Sequence, residues 1–287
     1  MALTVFAPSP FHHPEPIQDR EGFFNRDDEV RKVLSRLRRG QSVSVVGKEK
    51  IGKTSFLRHL SHPQVATRHG FKPDAHLFFY VDCKRLADLS EDDCLRQIKT
   101  IVGKTVSKWE TRSVPALESM VSSDTYHWLE QAISLLKEED VQSVIQLDDF
   151  DQLAANGRLS LRFFEGLRAL GDVHDTMAYL TMSRVPLVEL QGRLPAVAGS
   201  PFFNIFRKFE LQPFDPGETR RFLVARLVSV GAAFPEIILE FIYDLSGGEP
   251  HRLQLAGACA YDVWCQNAGS LCEEHCGEIE KRFNDAL

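Results

Sequence analysis

One loop constrains the fold more than any other feature of this sequence: Gly47-Lys48-Glu49-Lys50-Ile51-Gly52-Lys53-Thr54. A β-branched run at 42–46 precedes it, and an apolar-periodic helix pattern follows it through Leu60. The two glycines, Gly47 and Gly52, permit backbone angles and close approaches that a Cβ atom would prevent. The loop N–H groups and the N-terminus of the following helix then point at an anion. This order of strand, loop and helix predicts a phosphate-binding loop for a nucleotide.

Individual positions of the loop have expected roles. Lys53 is placed for the β- and γ-phosphates, and the Thr54 hydroxyl for Mg²⁺. The other positions of this segment that we expect to contact the nucleotide are Gly47, Lys50, Ile51, Gly52 and Ser55. A second Gly103-Lys104-Thr105 has isoleucine at the outer glycine position, residue 98, and lies in helical sequence. We interpret that second match as coincidental.

Composition limits the class of protein. A chain of 287 residues with 43% hydrophobic and 26% charged residues fits one α/β domain and a small second domain. The net charge of −6 argues against a dedicated nucleic-acid binder, because phosphate contacts need an excess of Lys and Arg. No apolar run approaches the ~20 residues of a membrane span, and the N-terminus lacks an apolar signal core. We therefore expect a cytoplasmic protein without a membrane partner.

The cysteines are expected to be reduced thiols, since most lie in helical patterns. They are Cys83, Cys94, Cys259, Cys265, Cys272 and Cys276. Cys272 and Cys276 have a spacing that could hold zinc on a helix, but neighbouring His275 points in another direction and no CxxC pair supplies further ligands. We interpret this group, with Cys265, as a half-buried helix face.

Four more segments have strand patterns: residues 75–82, 141–147, 177–182 and 206–211. The first is nearly all apolar, as expected for a strand buried on both faces. Helical patterns at 91–104, 115–138 and 159–170 lie between strands. With the run at 42–46, these segments predict a five-stranded parallel sheet with helices on both faces. Ligands bind such sheets at the carboxyl ends of the strands.

Polar residues follow two of these strands. Asp148 and Asp149 end the third strand, where Asp148 could bind Mg²⁺ and Asp149 could orient or deprotonate an attacking water. Ser183 and Arg184 end the fourth strand. They could contact a γ-phosphate, or they could form an ordinary exit from strand to loop, and the residues alone leave both interpretations open.

The pattern changes to successive helices after residue 212. Asp215-Pro216-Gly217-Glu218 has the residues of a capping box with proline at the first helical position, and Gly247-Gly248 ends a later helix. We predict an irregular N-terminal arm at 1–20, an α/β core at 21–212 and an all-helical domain at 213–287. Within the arm, His12-His13-Pro14-Glu15-Pro16 is predicted to be extended and poorly ordered.

These residues resemble the AAA+/STAND P-loop ATPases, in particular the archaeal-ATPase-like (MNS-type) branch. The ordered motifs that carry the resemblance are Phe23-Phe24-Asn25-Arg26-Asp27-Asp28-Glu29-Val30, Gly47–Thr54, Leu147-Asp148-Asp149-Phe150-Asp151, Thr181-Met182-Ser183-Arg184, Phe209-Glu210-Leu211-Gln212-Pro213-Phe214 and Leu245-Ser246-Gly247-Gly248-Glu249-Pro250-His251. They extend from residue 22 to about 265. The resemblance implies a P-loop NTPase core of the ASCE/AAA+ type, with the two Walker strands and the sensor-1 strand near one another, and a C-terminal helical lid.

The resemblance also implies roles for single residues. Arg26 would line the adenine side, Asp148 would be the Walker B aspartate and Arg184 the γ-phosphate sensor. Lid residues Pro250 and His251 would lie against the nucleotide, with His251 where related ATPases carry a sensor-2 arginine. The sequence departs from the family pattern at Asp149, where the usual residue is Glu, and at Gln146, which interrupts the apolar Walker B strand.

We therefore expect an ATP-binding, slowly hydrolysing Mg²⁺-dependent ATPase that acts as a molecular switch. ATP or ADP would control the position of the lid and assembly with a partner protein or with a second copy of the chain. A second hypothesis is an AAA+ adaptor that acts on DNA when ATP is bound, as in origin loading or transposition. It would use the basic face of the first helix, 31–39, which we interpret as a solvated surface. A third is a nucleotide-bound scaffold without hydrolysis.

Overall fold

The computed structural model describes residues 6–11, 16–17, 20, 22–108, 124–173, 176–193 and 199–287. Five parallel strands form one sheet in the order β2-β3-β4-β1-β5. They are β1 (Val43–Val46), β2 (His76–Asp82), β3 (Gln142–Asp148), β4 (Met177–Ser183) and β5 (Arg207–Glu210). This arrangement confirms the predicted five-stranded parallel sheet.

Strand β4 lies between β1 and β3 and pairs with both. Val46 at the end of β1 pairs with Ser183, and Leu147 near the end of β3 pairs with Thr181. The carboxyl ends of all three strands therefore meet at one edge of the sheet. Gln146, the polar residue within β3, is buried and donates a hydrogen bond of 3.3 Å to the Leu57 carbonyl.

The helices alternate with the strands and then continue alone. They are α1 (Asp27–Leu37), α2 (Lys53–Ser61), α3 (Pro63–Arg68), α4 (Glu91–Ser107), α5 (Thr125–Glu138), α6 (Phe150–Ala154), α7 (Leu161–Val173), α8 (Leu187–Arg193), α9 (Pro216–Val228), α10 (Glu236–Ser246), α11 (Pro250–Gln266) and α12 (Cys276–Ala286). The predicted start of the fifth helix, at 115, lies outside the described residues. The second Gly-Lys-Thr, 103–105, lies inside α4. Within the described residues no helix is both long and apolar enough to span a membrane.

Apolar side chains bury both faces of the sheet. Helices α4, α5 and α7 supply one core, in which Phe79 and Tyr179 of the strands are fully buried. Helices α1 and α2 supply the other, whose buried residues include Leu34, Phe56 and Val45 of β1. Covered faces of this kind explain why the strands read as nearly continuous apolar runs.

Helices α9 to α12 pack around a separate core that also includes part of the N-terminal arm. Phe11 is 3% exposed, and its ring fits there because position 257 is glycine. A Cβ atom at Gly257 would lie 2.6 Å from that ring. His12, His13, Pro14 and Glu15 lie outside the described residues. The arm residues at 6–11 are therefore anchored to the lid, a contact that the sequence did not indicate.

The cysteines of the described residues are all free thiols. Cys272 is exposed, whereas Cys265 and Cys276 are half-buried. His275 Nδ1 lies 3.2 Å from Cys272 Sγ. The described residues contain no group of three or more His, Cys, Asp and Glu side chains with the arrangement of a metal site.

A glycine pair holds the segment that leads from the last strand into the lid. The Phe214 N–H donates to the Gly248 carbonyl at 2.9 Å, and the two backbones lie so close that a Cβ atom on Gly248 would be 2.0 Å from the Phe214 carbonyl oxygen. Gly248 has φ +69°, in the left-handed region that favours glycine. The segment that leads into the lid therefore requires glycine at this position.

We predict that Gly248→Ala lowers the free energy of unfolding by about 3 kcal/mol or more, because it adds steric overlap to an unfavourable φ. Gly247→Ala is the matched control, since Gly247 has φ +61° but nothing within 4 Å of its Cβ position. The control should cost only about 1–2 kcal/mol. Chemical denaturation of both variants measures the difference. Equal losses would show that the contact with Phe214 does not constrain this segment.

Candidate functional site

A cavity of about 540 Å³ lies between the sheet edge and the lid. Core and lid both contribute to its wall, as does the described part of the N-terminal arm. The residues that line it include Arg26, Lys50, Ile51, Gly52, Lys53, Thr54, Ser55, Lys84, Asp149, Gln152, Arg184, Phe214, Pro250 and His251. Most of the residues that the sequence assigned to nucleotide binding therefore surround one cavity.

The loop between β1 and α2 is folded around Lys53. Its Nζ atom donates to the carbonyl oxygens of Gly47 and Lys48 at 2.8 and 2.7 Å, and the side chain is 7% exposed. Burial lowers the pKa of Lys53, while the carboxylates of the Walker B segment, Asp149 first, act in the opposite direction. These two bonds tie the start of α2 to the beginning of the loop.

The loop also depends on its glycines. A Cβ atom on Gly47 would lie 2.7 Å from Ile51 Cγ2, so only glycine allows Ile51 to pack there. Gly52 has φ +92° and precedes the first residue of α2. Lys50 also has a positive φ, of 61°. Positive φ values in such a loop favour a concave arrangement of backbone N–H groups, which suits an anion.

Thr54 and Asp148 meet at the end of β3. Their side chains share a hydrogen bond, and Asp148 also accepts from the Tyr80 hydroxyl at 3.2 Å and from the Asp149 N–H at 3.1 Å. Asp148 is 3% exposed. Burial raises its pKa, and the hydrogen bond with Thr54 opposes that shift. The predicted metal ligands therefore lie next to each other. Thr54 lines the cavity, and Asp148 lies beside it without being a lining residue.

Asp149 occupies a special backbone position. It has φ 49° and ψ 43°, in the left-handed region, and it directly precedes helix α6. Aspartate tolerates this region better than most residues. The turn brings the Asp149 side chain to the cavity wall, beside Gln152 one helical turn later. The sequence indicated Asp149 but gave no reason to select Gln152 or Lys84.

Arg184 lines the cavity, but its guanidinium already has a partner. Nε donates to Asp151 Oδ2 at 2.6 Å, and the Arg184 backbone N–H donates to Oδ1 at 3.3 Å. The hydrogen bond to Asp151 raises the pKa of Arg184. Its neighbour Ser183 is fully buried and donates to the Val185 carbonyl at 2.8 Å. The structure thus brings Arg184 to the cavity and turns the Ser183 hydroxyl toward its own loop.

Arg26 connects the entry motif to the lid junction. It is 6% exposed, donates to the Gln212 carbonyl at 2.9 Å and lies over the Phe214 ring, 5.1 Å from its centroid. Burial lowers its pKa, and Glu29 and Glu218 act in the opposite direction. Arg26 therefore forms part of the cavity wall chiefly as a structural cation. Lid residues Pro250 and His251 line the same region.

The partners of the charged residues are what sequence analysis missed. Tyr80 lies two residues before the end of β2, and the pairing of β2 with β3 brings it to Asp148. Asp151 stands two residues after Asp149, and its partner Arg184 is 33 residues away. A pattern of three acids, 148, 149 and 151, was visible in the sequence. It gave no sign of which acid faces the cavity.

Solved structures show the same fold at low sequence identity. A Walker-type ATPase of Pyrococcus abyssi has a TM-score of 0.67 and 17% identity over 95% of this chain and 74% of that protein. The Aeropyrum pernix ORC2 protein, in ADPNP-ADP complexes, has a TM-score of 0.62 and 16% identity over 96% and 70%. Domain III of the Thermotoga maritima replication initiation protein DnaA has a TM-score of 0.57 and 13% identity over 94% of this chain and 98% of that protein.

Family membership comes from the sequence comparison. No sequence among curated proteins matches this chain. The model of the family described as novel STAND NTPase 2 matches residues 37–285, a range that includes the phosphate-binding loop, both carboxylates of the β3 end and the lid. This match agrees with the AAA+/STAND resemblance of the motifs and with the five-stranded parallel sheet. The chain belongs to the novel STAND NTPase 2 family.

Proposed function

We propose that this chain is a molecular switch that binds ATP with Mg²⁺ in the cavity and hydrolyses it slowly. The nucleotide controls the position of the lid and, through it, assembly with a partner protein or with a second copy of the chain. One observation carries the proposal: phosphate-binding groups of the core and residues of the helical lid line the same cavity. A ligand that touches both parts differently as triphosphate and diphosphate shifts their relative position.

The residues present fit a magnesium ion. Thr54 and Asp148 provide two adjacent oxygen donors, a hydroxyl and a carboxylate, which are ligands that Mg²⁺ accepts. When bound there with ATP, the ion would offset negative charge on the phosphates. The Tyr80 hydroxyl and the Asp149 N–H fix the orientation of the Asp148 carboxylate.

The cavity side chains support attack of water on the terminal phosphate. Asp149 is the general base in this proposal, because it is the acid after β3 that lines the cavity. Lys53 and Arg184 offset charge on the phosphate oxygens in the transition state. Asp149 is one methylene shorter than the family's usual glutamate, so its reach toward the water is shorter. Slow turnover follows from that geometry.

Transmission to the lid would run through the entry motif. Asn25 donates a hydrogen bond to Glu218, a residue of the capping box at the start of lid helix α9. Next to it, Arg26 contacts the strand exit at Gln212 and Phe214. A nucleotide bound beside Arg26 therefore acts on the same few residues that hold the lid to the core.

The DNA-adaptor hypothesis has less support from the described surface. Arg31 of the basic face of α1 pairs with Asp28 at 2.8 Å, and Arg36 lies over the Phe209 ring at 5.8 Å. Both side chains therefore already interact with groups of this chain, although an exposed ion pair of this kind contributes little energy. Salt-dependent binding of a DNA duplex by the ATP-bound protein would favour that function over the switch.

The loop lysine provides the first test. We predict that Lys53→Ala weakens binding of both ATP and ADP roughly 100-fold, because it removes a buried cation that faces the phosphates. Lys104→Ala is the matched control, since Lys104 is exposed on α4 within the second Gly-Lys-Thr. Isothermal titration calorimetry measures both affinities. Unchanged affinity in Lys53→Ala would contradict the proposed phosphate site.

Hydrolysis provides a separate test. Asp149→Asn should retain ATP binding within a few-fold and lower the turnover rate at least about 100-fold, the usual contribution of a general base. Phosphate release under single-turnover conditions measures the rate. Parental turnover in Asp149→Asn would exclude the general-base role. Absence of phosphate release from the unmodified protein, even with a partner present, would instead favour the scaffold hypothesis.

A further inference from the structure

Asp151 is a buried charged residue next to the cavity that the proposed hydrolysis does not use. It is 6% exposed and is not among the lining residues, whereas the Arg184 side chain is 45% exposed and is one of them. Both Asp151 carboxylate oxygens accept hydrogen bonds from Arg184, one from Nε and one from the backbone N–H. A buried acid thus holds an arginine at the cavity wall.

The bond to Asp151 leaves the two terminal amino groups of Arg184 available. Among the described residues, the hydrogen bonds of the Arg184 side chain involve Nε, and neither Nη1 nor Nη2 donates. A half-exposed arginine without such a contact would sample many rotamers, and fixing it on a ligand would cost conformational entropy. The bond to Nε and the bond to the backbone N–H restrict that freedom in advance. The two terminal amino groups remain for a ligand.

One short segment serves two purposes. Asp149 lines the cavity, whereas Asp151, two residues later, does not. The Asp151 carboxylate instead accepts both of its hydrogen bonds from Arg184, the residue that follows β4. Asp148, the last residue of β3, faces Thr54 instead. The three acids thus act on different partners.

We propose that Asp151 is a positioning residue for Arg184 and that, through Arg184, it sets the preference of the protein for ATP over ADP. This inference rests on the proposed ATP-binding function. Only ATP carries the γ-phosphate that Arg184 would reach. If Arg184 is not held in position, the protein therefore binds ATP more weakly, while its affinity for ADP stays the same. A charge-assisted hydrogen bond to Nε is geometrically specific, and neither asparagine at 151 nor lysine at 184 reproduces it.

The test compares affinities for a non-hydrolysable ATP analogue and for ADP by calorimetry. We expect Asp151→Asn to weaken binding of the analogue about tenfold and to leave ADP binding within about twofold. In the Arg184→Ala background the same substitution should have no further effect, because Asp151 acts through Arg184. Asp172→Asn is the matched control: it removes a similar bond, 2.7 Å from Arg168 Nε, away from the cavity lining, and should not change the ratio.

Specific outcomes overturn the inference. An unchanged affinity ratio in Asp151→Asn would do so, as would a full additional loss in the Arg184→Ala background. If Asp151→Asn does not fold, the same affinities are measured for Arg184→Lys. Residue 184 is partly exposed, and lysine there keeps the charge but has no Nε group to bond to Asp151. A parental ratio in Arg184→Lys would also overturn the inference.

Failure of the proposed function gives a different result from failure of this inference. If the unmodified protein binds neither the analogue nor ADP, the nucleotide-binding function itself fails. If it binds both with equal affinity, nucleotide binding stands and the role of Asp151 in selecting ATP fails. A preference for the analogue that depends on both Asp151 and Arg184 supports the inference.

Discussion

The parallel pairing of β4 with both β1 and β3 is the constraint on which the rest of the structure depends. Because all five strands run in one direction, their carboxyl ends meet at one edge of the sheet. The phosphate-binding loop leaves β1 there, the acids leave β3 and Arg184 leaves β4. The loop residues up to Thr54 and the acids from Asp148 onward are more than 90 residues apart in the chain, and the sheet alone brings them to one cavity.

Charge compensation determines the details of that edge. Removing a charged group from water is costly unless hydrogen bonds or an opposite charge replace the solvent. Lys53 bonds to carbonyls of its own loop, Asp148 to the Thr54 and Tyr80 hydroxyls, and Asp151 to Arg184. Each of these pairings fixes a side chain before a ligand arrives. A site arranged in this way loses little conformational freedom on binding.

The lid is joined to this edge by a few short-range contacts. They include the Arg26 guanidinium over the Phe214 ring, the bond from Asn25 to Glu218 and the packing of Phe24 on Phe222. The helical core of the lid is otherwise separate from the cores on the two faces of the sheet. A small junction between two well-packed units is suited to a change in their relative position.

The sequence by itself determined the elements and most of the candidate site. Periodicity and turn residues predicted the five strands, the phosphate-binding loop and the change to helices after residue 212, because these signals are local. It also indicated the acids at 148 and 149. Only the tertiary structure decided which partners these residues have: Tyr80 for Asp148, Asp151 for Arg184, and the Val185 carbonyl for the Ser183 hydroxyl. The physical reason is that strand order and helix orientation decide which side chains meet, and neither is encoded in the spacing of residues along one segment.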